Sequence, residues 1–254
     1  MAAISVWLPK HYGAWAMLVA PVVTGGLLSG FAWHNVAIFL AWILAYLAYM
    51  AVRGATNGRR RNEYTVAVAV YSAATLALLA ALLWWRPSLL WWAIPLGVLL
   101  GISLTMIVTG REHSAVNDAG LIGASALMTA VSATAGRLPQ GLGWDGFFTA
   151  VQSVAPWLAT AVLAGYFWGT IPYVKTMIRE RGKTRWYVGS VVYHCALIVP
   201  AFLVNGWVGA FSIALAARAA AVPKLWPRAK PKAIGIAEVA GTVAIVVIAC
   251  LTLK

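Results

Sequence analysis

Nine long apolar runs constrain this chain more than any other feature of its sequence. A helix needs about 20 mostly apolar residues to cross the hydrocarbon core of a bilayer. The runs cover approximately residues 13–30, 35–52, 65–85, 89–108, 119–135, 154–171, 188–204, 207–221 and 233–253. Only 10% of the residues are charged, whereas soluble globular proteins have about 25%. The sequence therefore predicts an all-α, polytopic membrane protein with about nine transmembrane helices.

The segment before the first run, residues 1–12, is too short to cross a membrane. Its apolar side chains, Ile4, Val6, Trp7 and Leu8, favour a position in the membrane interface. The segment lacks the basic start, apolar core and small-residue cleavage site of a signal peptide, so we expect it in the mature protein. No soluble domain or long linker separates the runs, which predicts one transmembrane domain over residues 1–254.

Positive charges gather in alternate loops. With the N-terminus inside, the inner side holds 16 of the 19 Lys and Arg residues, and the outer side holds Arg86, Arg137 and Lys254. Because basic loops stay in the cytoplasm during insertion, this pattern predicts a cytoplasmic N-terminus and an external C-terminus. The net charge of +13 would suggest nucleic acid for a soluble protein. Here orientation and anionic lipid headgroups explain it, and no nucleic-acid partner is expected.

Two inner loops repeat one spacing of polar residues. The stretch Pro172–Tyr187 alone holds five of the 19 Lys and Arg residues. The residues at positions i, i+4 and i+8 are Arg53, Asn57 and Arg61 in one loop and Lys175, Arg179 and Lys183 in the other. On a helix they would share one face, and such a face turned into the bundle would bind phosphate. The alternative is an ordinary Arg-rich loop, which Gly54, Gly58 and Gly182 favour.

A third inner stretch, TGREHSAVND, also concentrates polar residues. It contains Arg111 and Asn117 as candidate ligand contacts, and Glu112, His113 and Asp118 as candidate acid–base groups. The alternative interpretation is structural: Asn117 and Asp118 would cap the helix of the fifth run.

Two ionisable residues lie inside apolar runs. Glu238 is about one and a half turns into the ninth run, and an intramembrane carboxylate needs a partner, here an inner-loop Arg or His194. The alternative is that Glu238 reaches the interface. His194, with Tyr193 beside it, is either a ligand contact or proton relay, or a buried neutral histidine bonded to a hydroxyl. Tyr173 completes the candidate ligand contacts.

The remaining candidates for chemistry are few. Glu63 and Glu180 lie among basic residues and are expected to pair with them. The sequence contains no phosphate loop of the Walker type and no His/Cys metal cluster, so no cofactor is expected. A Mg²⁺–pyrophosphate site needs several carboxylates, and only Glu112 with Asp118 could begin one. Magnesium is therefore not expected either.

Three stretches carry a family resemblance. The opening PKHYGAWAMLVAP resembles the N-terminal signature of the YwiC-like family of bacterial integral membrane proteins, and REHSAVND and PYVKTMIRERGKTRWYVGSVVYH also fit that family. One position departs from the signature: Tyr12, and not a histidine, stands directly before Gly13. The resemblance implies a protein of the bacterial cytoplasmic membrane and no particular activity.

The architecture is similar to that of the UbiA superfamily of intramembrane prenyltransferases. In those enzymes, Asp-rich motifs in the loops after spans two and six hold Mg²⁺ and a prenyl pyrophosphate. Here the same loops carry the two basic sets with the i, i+4, i+8 spacing, so no catalytic aspartate can be transferred. If the fold is shared, either cationic side chains bind the anion directly or the catalytic activity is lost.

These observations lead to one principal hypothesis and two alternatives. The principal hypothesis is a UbiA-like bundle with a basic cavity open to the cytoplasm, which binds an amphipathic anion such as an isoprenoid or lipid phosphate. A divergent UbiA-like transferase that lacks the Asp-rich Mg²⁺ motifs is one form of this hypothesis, but the sequence does not decide whether the protein is an enzyme. The alternatives are a small proton-coupled transporter that uses Glu238 and His194, and a non-catalytic assembly subunit. The sequence gives no oligomeric state.

Overall fold

The computed structural model describes residue 7 and residues 12–57, 61–111 and 114–253. Within these ranges the chain forms α-helices and two short 3₁₀ turns, at Pro87–Leu89 and Ala135–Arg137, and no strand. The helices are α1 (Tyr12–Ser29), α2 (Trp33–Asn57), α3 (Arg61–Trp85), α4 (Leu90–Val108), α5 (Ala115–Thr134), α6 (Trp144–Val151), α7 (Val154–Met177), α8 (Thr184–Ala196), α9 (Ile198–Val204), α10 (Gly206–Leu225) and α11 (Pro231–Thr252).

The predicted class of all-α, polytopic membrane protein is confirmed. Among the described residues, eight helical segments are long and apolar enough to cross a membrane. They correspond to the second to ninth predicted runs. The first run forms α1, a further apolar helix of 18 residues. The helix α6 was not predicted, because its sequence follows a Gly-rich stretch and is only eight residues long.

One predicted span is divided into two helices. The seventh run contains α8 and α9, which meet at Leu197. Pro200 lies one turn beyond Ala196, and its ring nitrogen has no proton to donate to that carbonyl. A proline therefore accounts for the change of helix at this point.

Of the predicted interfacial segment, Trp7 is the residue whose side chain the structure describes. It is partly exposed, and its ring meets that of Tyr71 edge to face, with 5.6 Å between ring centroids. The Tyr71 hydroxyl donates to the Trp7 carbonyl oxygen at 2.9 Å. This contact holds Trp7 beside α3. The other interfacial side chains lie outside the described residues.

The chain forms two compact units, residues 1–153 and 154–254. In unit 1, α1 packs on α5, α2 on α3, and α4 on α5. Its core includes Val22, Ile38, Trp92 and Met128. In unit 2, α7 packs on α8 and α11, and α10 packs on α8, α9 and α11. The single transmembrane domain stays a prediction.

A buried amide links three helices of unit 1. Asn35 is fully buried, and its Nδ2 donates to the carbonyl oxygen of Ser132 at 2.9 Å and to its Oγ at 3.0 Å. Ser132 Oγ donates in turn to the carbonyl oxygen of Val22 at 2.8 Å. Asn35 lies on α2, Ser132 on α5 and Val22 on α1. Because lipid chains offer no hydrogen-bond partners, polar groups of this kind hold membrane helices together.

We expect Asn35→Ala to lower the free energy of unfolding by about 1 kcal/mol, since the exchange removes two interhelical donors and leaves the Ser132 oxygens with fewer partners. Thermal unfolding of the purified protein in detergent measures the effect. Asn62→Ala is the matched control, because Asn62 is exposed on α3. Equal melting temperatures for the two variants would contradict this role of Asn35.

Candidate functional site

An ion pair inside the membrane-spanning part of unit 2 forms the centre of the candidate site. Arg218 Nη1 lies 2.7 Å from Glu238 Oε1, and the two side chains are 18% and 12% exposed. Arg218 lies seven residues before α10 ends at Leu225, and Glu238 lies seven residues after α11 begins at Pro231. At 1.5 Å per residue, each is about 10 Å from the end of its helix. The two charges meet because neighbouring helices joined by a short loop place them at equal depth.

The sequence around Arg218 leaves room for its side chain. Ala216, Ala217, Ala219 and Ala220 surround it on α10, and Ala216 and Ala219 are buried. Methyl side chains do not compete with the guanidinium group for space between helices. Arg218 therefore reaches α11 and α7 without displacing a larger neighbour.

Both carboxylate oxygens of Glu238 have partners. Oε1 faces Arg218, and Oε2 accepts a hydrogen bond from Thr170 Oγ1 of α7 at 3.0 Å. The backbone carbonyl oxygen of Glu238 also accepts from Tyr166 of α7 at 3.0 Å and from Thr242 Oγ1 at 2.8 Å. The carboxylate is thus held in place from two other helices.

An aromatic ring covers one face of the arginine. The Arg218 Cζ atom lies 4.1 Å from the ring centroid of Tyr173, which is 2% exposed. This is cation–π geometry. Among the described residues, Arg218 Nε is buried and has no hydrogen-bond partner. The ring and the carboxylate therefore hold the guanidinium in place while its Nε–H donor remains unused.

The α7 residues of this site lie on one face of their helix. Tyr166, Thr170 and Tyr173 follow at i, i+4 and i+7, the spacing that aligns side chains on a helix. Gly241 of α11 faces the Tyr166 hydroxyl, and a side chain at that position would collide with it. The glycine allows α11 to approach α7 closely enough for the Tyr166 hydrogen bond.

His194 lies nearby on α8 but does not pair with Glu238. It is 3% exposed, and its Nδ1 lies 2.7 Å from the carbonyl oxygen of Ser190. Since a carbonyl oxygen only accepts, Nδ1 carries the proton. The predicted hydrogen-bond partner of His194 was a hydroxyl, whereas the observed partner is the backbone carbonyl of Ser190. Both predicted partners of Glu238 were wrong: the partner is Arg218, which lies on a transmembrane helix and not in a loop.

Tyr193, the neighbour of His194, connects α8 to α7. Its hydroxyl donates to the Gly165 carbonyl oxygen at 3.0 Å. Gly169, one turn further along α7, packs against Tyr193 and His194 and has no room for a side chain. The two aromatic residues thus set the spacing between α7 and α8.

A second arginine ties two basic loops together at the end of unit 2. Arg181 donates through Nε and Nη2 to the Met177 carbonyl oxygen, at 3.0 and 2.6 Å, and through Nη2 to the Ala229 carbonyl oxygen at 3.0 Å. It caps the end of α7 and holds the α7–α8 turn beside the α10–α11 loop. Seven exposed cations of this region, which we name the basic surface, are Arg179, Lys183, Arg185, Lys224, Arg228, Lys230 and Lys232.

Aromatic rings accompany the cations here. Lys175 Nζ lies 5.0 Å from the ring centroid of Trp186, and Lys224 Nζ lies 5.4 Å from that of Tyr187. The Tyr187 hydroxyl donates to the Ala220 carbonyl oxygen at 3.0 Å. Aromatic and basic side chains together are typical of the membrane–water interface.

The predicted pairing of Glu180 is confirmed. Its Oε2 lies 2.7 Å from Lys183 Nζ. The hydrogen bond from Lys183 lowers the pKa of the Glu180 carboxyl below its ordinary value, so this carboxylate is ionised at neutral pH. Glu63, the other glutamate expected to pair, lies in the first turn of α3.

Neither basic set with the i, i+4, i+8 spacing lies on a single helix. Lys175 is in the last turn of α7, Arg179 follows the end of that helix, and Lys183 directly precedes α8. Gly182 has a φ of +81°, a left-handed conformation that favours glycine and interrupts the helix. The shared helical face was a wrong interpretation for this set.

The set in unit 1 is divided in the same way. Arg53 is half-buried on α2, Asn57 ends that helix, and Arg61 begins α3. The side chains of Asn57 and Arg61 lie outside the described residues. The helix α2 continues through Gly54, contrary to prediction, and the ring of Tyr64 packs where a side chain at this position would otherwise lie.

The third inner stretch is described in part. Arg111 is exposed beyond α4, whereas Glu112 and His113 lie outside the described residues. The cap of α5 is Ser114, whose Oγ accepts from the backbone N–H of Asn117 at 3.2 Å. The predicted caps, Asn117 and Asp118, were therefore wrong. Both residues lie in the first turn of α5, where Asn117 is buried and Asp118 is half-buried.

The groove described in unit 1 is apolar. It has a volume of about 360 Å³ and is lined by Leu90, Trp91, Ala93, Ile94 and Leu142. None of the predicted site residues lines it. Within the described residues, no three His, Cys, Asp or Glu side chains come together as metal ligands. The predicted basic cavity draws on residues of both units and stays a prediction.

The sequence reasoning missed Arg218 as a site residue. The signal was nevertheless present: a lone arginine in an alanine-rich run and a lone glutamate in the next run lie equally far from their shared loop. Tyr166, Thr170 and Thr242 were missed as well, because hydroxyl residues are common in membrane helices and their partners depend on how each helix is rotated.

Comparison with known proteins finds similarity to one family and indicates no activity. The sequence profile of the YwiC-like protein family matches residues 8–133. A Bacillus subtilis protein named uncharacterized protein YwiC is 28% identical over 96% of this chain and 97% of its own length. An uncharacterized protein of Haemophilus influenzae is 27% identical over 75% of this chain and 76% of its own length. No solved structure matches the chain significantly, and the similarity to the UbiA superfamily stays a prediction.

We expect removal of one partner of the ion pair to destabilise the protein, because the other charge remains buried. Arg218→Met or Glu238→Leu alone should lower the free energy of unfolding by about 3 kcal/mol. The double exchange Arg218→Met/Glu238→Leu should recover most of the loss, since it removes both charges. Thermal unfolding of the three variants in detergent measures this coupling. Additive losses in the double variant would show that the two charges are not paired.

We expect Arg181→Ala to loosen both basic loops, because it removes the donors shared by Met177 and Ala229. Hydrogen exchange followed by mass spectrometry should show faster amide exchange in residues 178–183 and 226–230. Arg179→Ala is the matched control, since Arg179 is exposed in the same turn. Faster exchange in only one of the two loops would contradict the bridging role of Arg181.

Proposed function

We propose that this chain is a member of the YwiC-like family, to which it is similar, and that it binds an anionic amphiphile, such as an isoprenoid phosphate or a lipid phosphate, at the cytoplasmic side of a bacterial membrane. The observation that carries this proposal is the basic surface of unit 2. Its seven exposed cations lie on two loops, which Arg181 holds side by side, and on the adjoining turns of α8, α10 and α11. Glu180 is the one acidic residue between Pro172 and Lys232.

The composition of the basic surface fits a phosphate-bearing amphiphile. Each Lys or Arg near an anionic membrane surface contributes about 1 kcal/mol of attraction. Arginine adds bidentate hydrogen bonds to phosphate, and Trp186 and Tyr187 favour the depth of the headgroups. The apolar helices beneath the loops would contact the tail. Recognition would thus combine a charged head with an apolar chain.

The arginines of this region divide into two kinds. Arg181 is committed to backbone carbonyl oxygens of its own chain and acts as a positioning residue. Arg179 and Arg185 are exposed and are the better candidates for contact with phosphate. The predicted ligand contacts Lys175 and Arg179 belong to this region.

Other predicted contacts and any chemical step are separate proposals. Arg53, Asn57, Arg61, Arg111 and Asn117 remain proposed ligand contacts in unit 1. If the protein also transfers a group, as a divergent UbiA-like transferase would, Glu112, His113 and Asp118 are the proposed acid–base groups there. Binding at the basic surface does not depend on them.

We expect anionic lipids to copurify with the protein from its native membrane, and farnesyl phosphate to bind more tightly than the uncharged control farnesol. The double variant Arg179→Ala/Arg185→Ala should bind farnesyl phosphate at least tenfold more weakly, since each charge-assisted hydrogen bond contributes about 1.5–3 kcal/mol. Quenching of tryptophan fluorescence measures affinity, and mass spectrometry identifies the lipids.

Arg137→Ala is the matched control, because it removes an exposed arginine from the predicted outer side. Equal affinity for farnesyl phosphate and farnesol would contradict the proposal. So would copurified lipids no more anionic than the surrounding membrane.

A second candidate function is proton-coupled transport, which the buried Arg218–Glu238 pair favours, because ionisable residues inside a membrane commonly mark transport pathways. The geometry supports Arg218, and not His194, as the charged partner of Glu238. Proton uptake into liposomes that is driven by substrate and lost in Glu238→Gln would support transport over binding alone.

A further inference from the structure

The Arg218–Glu238 pair has two properties that a purely structural ion pair does not need. One is the unused, buried Nε of Arg218, which has no partner within the described part of the chain. The other is the ring of Tyr173, which fixes the plane of the guanidinium. A planar guanidinium with free donors is the group that binds oxyanions in bidentate fashion. In the structure, one carboxylate oxygen of Glu238 lies 2.7 Å from the Arg218 Nη1 atom.

Charge balance limits what can happen to this pair. Arginine remains protonated under all ordinary conditions, whereas a carboxylate can take up a proton. Protonation of Glu238 would leave Arg218 as a lone cation in a low-dielectric region, which costs several kcal/mol. Another negative charge would then have to replace the carboxylate.

The neighbouring helices provide no such charge. The titratable residues that α7 and α8 contribute around the pair are Tyr166, Tyr173, Tyr187, Tyr193 and His194, and α9 has none. Tyr166, Tyr187 and Tyr193 donate their hydroxyl protons to backbone carbonyl oxygens, and His194 Nδ1 donates to Ser190. These groups are neutral donors. The other acidic residue of unit 2, Glu180, pairs with Lys183, so the compensating anion must come from outside this unit.

We propose that Arg218 is a binding site for a phosphate-type oxyanion, and that Glu238 keeps this site closed until it takes up a proton. The ion pair opens when a proton forms an O–H bond on the Glu238 carboxylate. A monoanionic phosphate diester then takes the place of that carboxylate at Arg218. One proton and one negative charge enter together, so the buried site stays neutral. Thr170 Oγ1, which lies 3.0 Å from the carboxylate, is a further donor to the incoming oxygen.

The position of the site fits an anion arriving from the basic surface. Arg218 is 18% exposed and about 10 Å along α10 from the loop that begins after Leu225. Lys224 lies at that end of the helix. The inference does not depend on anion binding at the basic surface, since it concerns a different set of residues at a different depth.

The experiment uses phosphate diesters, because their single charge does not change between about pH 5 and about pH 8. The full-length protein is placed in nanodiscs of phosphatidylcholine and titrated with dimethyl phosphate, a free anion. A second set of nanodiscs contains phosphatidylglycerol, whose diester headgroup carries a net negative charge, unlike the zwitterionic headgroup of phosphatidylcholine. Binding is measured as a function of pH, and infrared difference spectra report the C=O stretch of a protonated Glu238.

We expect the affinity for the diester to fall up to about tenfold for each unit of increasing pH, as binding linked to one proton requires. Addition of the diester should produce a carboxylic-acid band that is absent in Glu238→Gln. In that variant the competing carboxylate is gone, so affinity should be independent of pH and higher than that of the wild type at about pH 8. A response to phosphatidylglycerol alone would identify a headgroup as the ligand, and a response to both probes would identify the phosphate diester in general.

The control for folding is Arg218→Met/Glu238→Leu, which keeps a neutral core and should bind neither probe in a proton-linked manner. Arg179→Ala/Arg185→Ala should keep the pH dependence, which separates this site from the basic surface. A wild-type protein whose affinity for both probes does not change with pH, or that shows no carboxylic-acid band on binding, would overturn the proposal. Proton-linked binding retained in the Arg218→Met/Glu238→Leu variant would overturn it as well.

Discussion

Hydrocarbon offers no hydrogen-bond partner, and this constraint governs how both units are assembled. In unit 1 it is met by Asn35, whose amide reaches Ser132 on another helix. In unit 2 it is met by Glu238, whose oxygens are divided between Arg218 and Thr170. These polar side chains therefore form hydrogen bonds and ion pairs between helices, and their positions determine which helices can pack together.

The same constraint explains the local behaviour of threonine. Thr24 and Thr134 in unit 1 and Thr160 and Thr176 in unit 2 each donate to the carbonyl oxygen four residues earlier in the same helix. In α7 the acceptors for Thr160 and Thr176 are Pro156 and Pro172. A threonine whose hydroxyl donates within its own helix does not link that helix to another. Thr170 differs because it also reaches Glu238, and this marks it as part of the site.

Composition and charge were sufficient to predict the membrane class and the positions of the helices, since spanning length is a property of the local sequence. They failed where tertiary contacts decide the outcome. Gly54 lies within α2, where the lack of a side chain makes room for the ring of Tyr64, and α5 is capped by Ser114 although Asn117 and Asp118 are also good capping residues. The Arg218–Glu238 pair depends on the rotation of two helices about their axes, which the order of residues along the chain does not specify.

The number of basic residues in the sequence also cannot distinguish arginines that have different structural roles. Arg179 and Arg181 are two residues apart in one turn and both are exposed, yet Arg181 binds the backbone carbonyl oxygens of Met177 and Ala229. Arg218 contributes equally to the excess of positive charge on the predicted inner side, but its charge is compensated by Glu238. The excess that an anion would meet is therefore smaller than the sequence suggests, and it is concentrated on the basic surface.

The two charged regions of unit 2 consequently obey different electrostatics. The cations of the basic surface face water, where salt screens their attraction over about 10 Å. The Arg218–Glu238 pair lies in a medium of low dielectric constant, where screening is weak and neutrality is required. An anion can be gathered at the first region by charge alone, but it can enter the second only if a proton arrives with it. Selectivity at depth would then come from proton linkage, and capture at the surface from the number of exposed cations.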